Sequence, residues 1–367
     1  MKNDSEPVDV AVVGVGRMGR HHARTYKQMP EANLVAVVDM DEDRRETVAD
    51  EYGCNAYDSV EALIAGEPTL KAVTIAVPTI HHVAATKPFL EKGIACLVEK
   101  PIAPTVADAK ELAGFADGCG TLLQVGHTER FNPAVRTVAG MGLTPRYIEV
   151  DRVSPMTFRS LDVGVVMDMM IHDLDIMLMF ANSPIAKVDA TGVSVLGEHE
   201  DVCSARIVFE NGCVANLTGS RLALKTERKL RLFSEEGYVS LNYASRSGIV
   251  VKKSSDNTDA LAMVREQLAA GKDLSDLDYS ELITVDELTM DVPEGEEDQL
   301  TAQAKSFLRA AINGEKPVVS AEEGYAAVDA AERVVQSIRS HKWVGRDSSI
   351  ISTEDLKQSV NPKKTEV

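Results

Sequence analysis

The sequence predicts an α/β domain built on a doubly wound parallel sheet, followed by an α+β domain built on a large, mostly antiparallel open sheet. Three observations lead there. Short apolar runs alternate with helical stretches up to about residue 126; a glycine-rich turn joins the first run to the first helix; and after Pro133 the alternation gives way to successive strand-length segments. At 367 residues the chain is too long for one ordinary core, since domains average roughly 150 residues. The expected division is 1–126, 127–350 and a polar tail at 351–367.

In the first part, Val8–Val13, Leu34–Val38, Ala72–Val77, Ala95–Val98 and Thr121–Val125 have strand length. Several are apolar throughout, as strands buried on both faces are. Between them lie helical stretches at Arg17–Met29, Glu42–Tyr52, His81–Lys92 and Ala107–Asp117, stopped by Pro30, Gly53, Gly93 and Gly118. Such stops are ordinary helix punctuation. The second part opens with a short helix at Ala134–Ala139, a strand at Arg146–Val153 and a helix at Val163–Phe180. Strands are expected from Lys187 to Lys252, and two helices at Asp298–Ile312 and Ala321–Ser340. Residues 254–280 read as a polar insertion with one short helix pattern.

Composition narrows the function classes. With 39 Lys and Arg against 57 Asp and Glu, the net charge of −18 argues against nucleic acid or an anionic membrane as partner. A small anionic ligand stays open, because a few arginines and a helix N-terminus make a local positive site. No apolar run approaches the ~18 residues of a membrane span, and no apolar signal segment precedes the first strand. The five cysteines form no C-x-x-C pair, so neither a disulfide framework nor a zinc site is expected, and the expected compartment is the cytoplasm.

Strand Val8–Val13 runs into Gly14-Val15-Gly16-Arg17-Met18-Gly19 and then a helix. In that context Gly14 permits the tight turn, Gly16 lets a pyrophosphate approach the backbone, and Gly19 lets helix and strand pack closely. The second strand ends at Asp39, twenty residues beyond Gly19, where a carboxylate accepts from ribose hydroxyls. This is the pattern of a Rossmann dinucleotide site, with NAD favoured. Arg44 and Arg45 nearby leave NADP possible.

Two further segments carry candidate chemistry. Strand Ala95–Val98 ends in Glu99-Lys100-Pro101, and the carboxyl ends of such strands face the ligand crevice. Lys100 there can hold a hydroxyl or assist proton transfer; the alternative is a solvated lysine. In Asp168-Met169-Met170-Ile171-His172-Asp173-Leu174-Asp175, α-helical geometry at about 100° per residue puts Asp168, His172 and Asp175 within roughly a 60° wedge. That offers an imidazole base with carboxylate partners, or else a capped helix with a solvated histidine. Two further metal ligands are not evident, so no metal is expected. In the segment 124–133, Arg130 and Asn132 are candidates for anionic or hydroxyl groups, or are structural linker residues. Arg159 and Arg221 are further phosphate candidates.

Taken together, the glycine loop, the Glu-Lys-Pro step and the Asp-x-x-x-His helix resemble the glucose–fructose oxidoreductase/inositol dehydrogenase (Gfo/Idh/MocA) family over roughly residues 8–345. The resemblance implies a nicotinamide-dependent oxidoreductase acting on a secondary hydroxyl, with Lys100, Asp168 and His172 as the catalytic group. It implies cofactor contacts from Pro78, Thr79, His82, Glu99 and Lys100 beside the loop residues and Asp39. The stretches at 125–135 and 162–178 are similar to the branch that oxidises UDP-N-acetylglucosamine at its 3-hydroxyl ahead of an aminotransferase. That implies substrate contacts from Arg130, Asn132, Arg159, Asp175 and Arg221. A free sugar or inositol is the alternative substrate, and a non-catalytic dinucleotide sensor the alternative class. A sheet with one exposed face implies a homodimer or homotetramer.

Overall fold

The computed structural model describes residues 6–157, 163–196, 198–243, 245–253, 260–271, 283–288, 292 and 298–343. The chain folds as two units, each with its own sheet.

The first unit comprises Met1–Asn132, Leu174–Ile176 and Val292–Arg333. Its six-stranded sheet is parallel throughout, in the order β3-β2-β1-β4-β5-β6. The strands are β1 (Val8–Val13), β2 (Ala32–Val38), β3 (Asn55–Tyr57), β4 (Ala72–Ile75), β5 (Ala95–Glu99) and β6 (Leu123–Gly126). The order reverses between β1 and β4, the switch point at which doubly wound sheets take ligands. Local chemistry sets the helix ends. Helix α2 (Glu42–Tyr52) starts where Asp41 accepts from the Arg44 N–H and stops at Gly53, with φ of 63°. Helix α5 (Val106–Cys119) starts at Thr105, which accepts from the Asp108 N–H, and stops at Gly120. Strand β3 and helix α3 (Val60–Gly66) are additions to the expected elements; at three and seven residues they carry too little periodicity to read.

The expected boundary at 126/127 also changes. Helix α9 (Gln299–Asn313) falls by sequence in the second domain, yet its Ala304, Phe307 and Leu308 lie in one buried cluster with Val8, Val10, Tyr26 and Leu34. Helix α1 (Arg17–Gln28) turns Ala23 and Tyr26 into that cluster. One side of the parallel sheet therefore takes part of its cover from far along the chain, which strand–helix alternation cannot reveal.

The second unit comprises Pro133–Asp173, Met177–Asp291 and Val334–Val367. Its strands are β7 (Pro145–Val153), β8 (Ile185–Val193), β9 (Val202–Phe209), β10 (Val214–Ser220), β11 (Glu227–Ser234), β12 (Gly237–Asn242), β13 (Ser247–Lys253) and β14 (Ile283–Glu287). They form an eight-stranded sheet in the order β14-β13-β12-β11-β7-β10-β9-β8, in which, among the described residues, only the central β7–β10 pair is parallel. Burial alternates strictly along β10, with Ala215, Leu217 and Gly219 on the core face, the signature of a sheet with one covered face. At Gly219 the strand packs closely on the Met170 side chain, 3.2 Å from where a Cβ would be. The insertion contributes helix α8 (Ala260–Ala269); most of the rest of 254–280, and the 351–367 tail, lie outside the described residues.

Candidate active site

The glycine loop has the geometry its sequence requires. Gly14 has φ of 85°, and a Cβ there would sit 2.7 Å from the Val77 nitrogen. A Cβ on Gly19 would collide with the Gly14 carbonyl. Around Gly16 nothing lies within 4 Å of where a Cβ would be. Gly14 and Gly19 thus serve close packing, whereas Gly16 keeps space open.

That space belongs to a cavity of about 850 Å³ at the carboxyl ends of β1, β2 and β4, lined by Gly14, Gly16, Met18, Asp39 and Pro78, among others. A dinucleotide fits these residues: an N–H-rich helix start for the pyrophosphate and, at the end of β2, a carboxylate for the ribose. Asp39 is held in place from both sides. Its Oδ2 accepts from the Val15 N–H at 2.9 Å and its Oδ1 from the Asp41 N–H at 3.0 Å. Arg44 Nη1 approaches at 3.4 Å.

Other expected cofactor residues sit elsewhere. Arg17 is exposed at the first position of α1, and Thr79 opens a short 3₁₀ turn. His81, not His82, lines the cavity. His82 is buried, with Nδ1 2.9 Å from the Pro101 carbonyl and Nε2 2.9 Å from the Val77 carbonyl. It braces the loop after β4 against the Glu-Lys-Pro step. Burial, only partly opposed by those carbonyls, holds its pKa below the usual histidine value.

Glu99 ends β5 and is also buried. Its Oε1 lies 2.7 Å from His22 Nε2, and its Oε2 accepts from the Lys100 N–H at 3.3 Å. Burial pushes its pKa up, but the hydrogen bond and charge of His22 and the charge of Lys100 more than offset this, leaving it below the ordinary carboxylate value. Lys100 is half-buried, and its peptide to Pro101 is cis. His127, buried just past β6, has its pKa lowered by burial; Asp175 and Glu99 oppose that shift, Arg130 and Lys100 add to it.

Asp168 and His172 belong to the second unit, both half-buried. Residues Val166–Met170 are π-helical and lead into helix α7 (Ile171–Ala181). His172 and Asp175 keep the expected α-helical step within α7, while the i→i+5 turn changes the angular step at Asp168. Such turns are common at functional sites. The entry to this segment is tied down: Glu200 accepts from the Val166 N–H at 3.2 Å, and its side chain fills the room that Gly164 leaves.

The expected substrate contacts have other work. Arg130, only 6% exposed, donates from Nε and Nη2 to both oxygens of Asp175 at 2.7 and 2.8 Å, and from Nη1 to Glu323 at 3.2 Å. Asn132 is buried and donates to Glu129. Arg221 donates from Nε to Asp201 at 2.7 Å and from Nη1 to the Val163 carbonyl at 2.9 Å. Asp201 also accepts from the Val195 and Leu196 N–H groups. These guanidiniums and carboxylates satisfy one another in the interior and hold backbone in place. Arg159 lies outside the described residues. A third buried pair, Arg152 with Asp173 at 2.6 and 2.8 Å, which sequence reasoning missed, fixes the residue next to His172. Its only sequence signal is an arginine on an otherwise core-facing strand position.

A parallel sheet with a glycine loop, and with a carboxylate at the end of β2 beside its switch point, defines a dinucleotide-binding class of fold. Residues 8–127 match the oxidoreductase family with an NAD-binding Rossmann fold, and residues 137–240 match the GFO/IDH/MocA C-terminal domain. The chain is 35% identical over 258 residues to the UDP-N-acetylglucosamine 3-dehydrogenase of Acidithiobacillus ferrooxidans, covering 70% of this chain and 80% of that one. A solved structure of that protein superposes with a TM-score of 0.77 at 29% identity, over 90% of this chain and 97% of the other. The scyllo-inositol 2-dehydrogenase (NAD(+)) of Bacillus subtilis is 30% identical over 58% of this chain and 67% of its own. The chain belongs to the GFO/IDH/MocA oxidoreductase family and is an NAD-dependent dehydrogenase. Among the described residues, no helix is long and apolar enough to cross a membrane.

Proposed function

We propose that this dehydrogenase oxidises the 3-hydroxyl of UDP-N-acetylglucosamine. The observation that carries this reading is the likeness to the Acidithiobacillus ferrooxidans protein, which spans both halves of the chain in sequence and fold. His172 removes the hydroxyl proton, Lys100 donates a hydrogen bond to the same oxygen, and Asp168 orients the imidazole. NAD supplies the hydride acceptor, at C4 of its nicotinamide. The products are a 3-ketone, NADH and a proton, and the ketone is suited to an aminotransferase. The free cysteines suit a reducing compartment, in keeping with a cytoplasmic enzyme. The uncovered face of the eight-stranded sheet carries a stack of Tyr147, Phe233 and Tyr238, with ring centroids 5.4 and 4.6 Å apart. That apolar patch suits a homodimer or homotetramer, which light scattering would size.

A second reading is oxidation of a free polyol. It is favoured by the similarity to the inositol dehydrogenase and by the internal pairing of Arg130 and Arg221, which takes two cations from any diphosphate. The test is NADH formation at about 340 nm with UDP-N-acetylglucosamine, free N-acetylglucosamine, and myo- and scyllo-inositol. Turnover of the UDP-sugar alone supports the first reading. Turnover of a polyol alone replaces it with the second, and tight NAD binding with no turnover of any of them points to a sensor.

A further inference from the structure

We propose that His22 and Glu99 form a buried pair that fixes the charge and backbone of the Lys100 step, making His22 a positioning residue for the reaction. The inference rests on the reading above, in which Lys100 touches the substrate oxygen.

His22 sits three residues beyond Gly19, on the helix that opens at the glycine loop, and is fully buried. Its Nε2 reaches across to Glu99 Oε1 at 2.7 Å, while the other carboxylate oxygen accepts from the Lys100 N–H. One carboxylate therefore ties α1 to the backbone of Lys100. The site is shaped for it: a Cβ on Gly126 would lie 3.2 Å from Glu99 Oε2. His22 Nδ1 is buried with no hydrogen-bond partner among the described residues. Nε2 is the ring nitrogen that meets the carboxylate, so the imidazole donates from there to Glu99 and keeps it an anion beside the ammonium of Lys100.

The charged and titratable groups facing Glu99 come from four places in the chain. They are His22 from α1, His82 from the helix after β4, Lys100 from the step itself, and His127 from the end of β6. Beyond His127 lie Asp175 and Arg130, already paired with each other. His22 donates a side-chain hydrogen bond to Glu99, which after burial is the strongest influence on the carboxyl. Without it, burial is the largest influence left on the carboxyl, and burial favours the protonated form. Loss of His22 therefore raises the pH at which Glu99 takes up a proton and removes the negative charge next to Lys100 on the acid side.

The experiment compares His22→Leu and His22→Gln, the second of which retains an N–H donor. In His22→Leu, kcat falls roughly tenfold, the scale of one hydrogen bond to a charged group. The acid limb of its pH profile moves to higher pH by about one unit. The carboxyl carbon NMR signal of Glu99 titrates at correspondingly higher pH, a readout independent of turnover. NAD affinity by calorimetry stays near that of the parent, and His22→Gln recovers most of the loss. A His22→Leu protein with lower kcat but an unmoved acid limb and an unmoved Glu99 signal would overturn the inference, as would His22→Gln no better than His22→Leu. Failure of the underlying reading looks different: Lys100→Ala would then turn over like the parent. If Lys100→Ala is inactive while the His22 profile is unmoved, only the inference falls.

Discussion

In the first unit, Asp39 is held by two backbone N–H groups, one of them from the glycine loop itself. In the second, the segments flanking Asp168 and His172 are held by side chains: Arg152 on Asp173, Arg221 on Asp201, and Glu200 on the Val166 N–H. Backbone support comes with the motif itself: Val15 lies in the glycine loop, 24 positions before Asp39, and Asp41 lies two positions after it. Ion-pair support joins residues twenty or so positions apart, Arg152 to Asp173 and Asp201 to Arg221, and its members look in sequence like ligand-binding arginines. The difference teaches that an arginine near a site is read correctly only once its carboxylate has been found.

The largest expected effect tests whether the side chains so held do the chemistry. Lys100→Ala and His172→Ala should each lower kcat by about 10² to 10⁴, as loss of an acid–base group does, with melting temperature unchanged. A His172→Ala enzyme within about threefold of the parent would move the base elsewhere.

Breaking the second unit's supports comes next, and the loss should appear in stability. Arg152→Met or Asp201→Asn removes one partner of a buried ion pair, which costs about 3–5 kcal/mol; urea denaturation followed by circular dichroism measures it. A change below ~1 kcal/mol in both would mean that these pairs are not what holds the segment, and the contrast between the two units would collapse.

The glycine loop sharpens the comparison from the other side. Gly16→Ala adds a methyl into open space, so unfolding should change by less than about 1 kcal/mol while NAD affinity drops tenfold or more, since the methyl stands where the pyrophosphate approaches. Gly14→Ala should instead destabilise the fold, because φ of 85° is strained for any side chain and the methyl meets Val77. Equal loss of stability in the two variants would remove the distinction between packing and binding glycines.

The smallest effect is on pH dependence. His82 is held neutral by burial, with a folded pKa below its unfolded value of about 6.5. Its contribution is therefore present above pH ~6.5 and is lost as pH falls toward the folded value. Replacement by Gln should flatten the stability–pH curve just below 6.5; an unchanged slope there would assign that titration to other groups.

Much of the first unit is legible because each strand and each helix stop is local: Gly53 ends α2 where the sequence says it should, and Asp39 arrives at the expected distance from Gly19. The resemblance implies a cofactor contact from His82; His81 lines the cavity, while His82 is buried against the Pro101 and Val77 carbonyls, a division that two adjacent histidines do not announce in the sequence. The angular place of Asp168 relative to His172 is not legible, because the π-turn at Val166–Met170 replaces the α-helical step expected there. His22 is invisible in the sequence because its partner, Glu99, is 77 positions away.

The seating of α9 has a consequence for the order in which this chain is made. The dinucleotide-binding sheet is complete at Gly126, yet Ala304, Phe307 and Leu308 belong to its core. Ribosomes add about 5–20 residues per second, so the finished sheet waits roughly 10–35 s for its last wall. Throughout that interval the nascent chain shows Val8, Leu34 and their neighbours to solvent, a surface for chaperones to hold. A fragment cut at the end of β6 would carry the same uncovered patch permanently, so the cofactor-binding half is best expressed with α9 joined to it rather than alone.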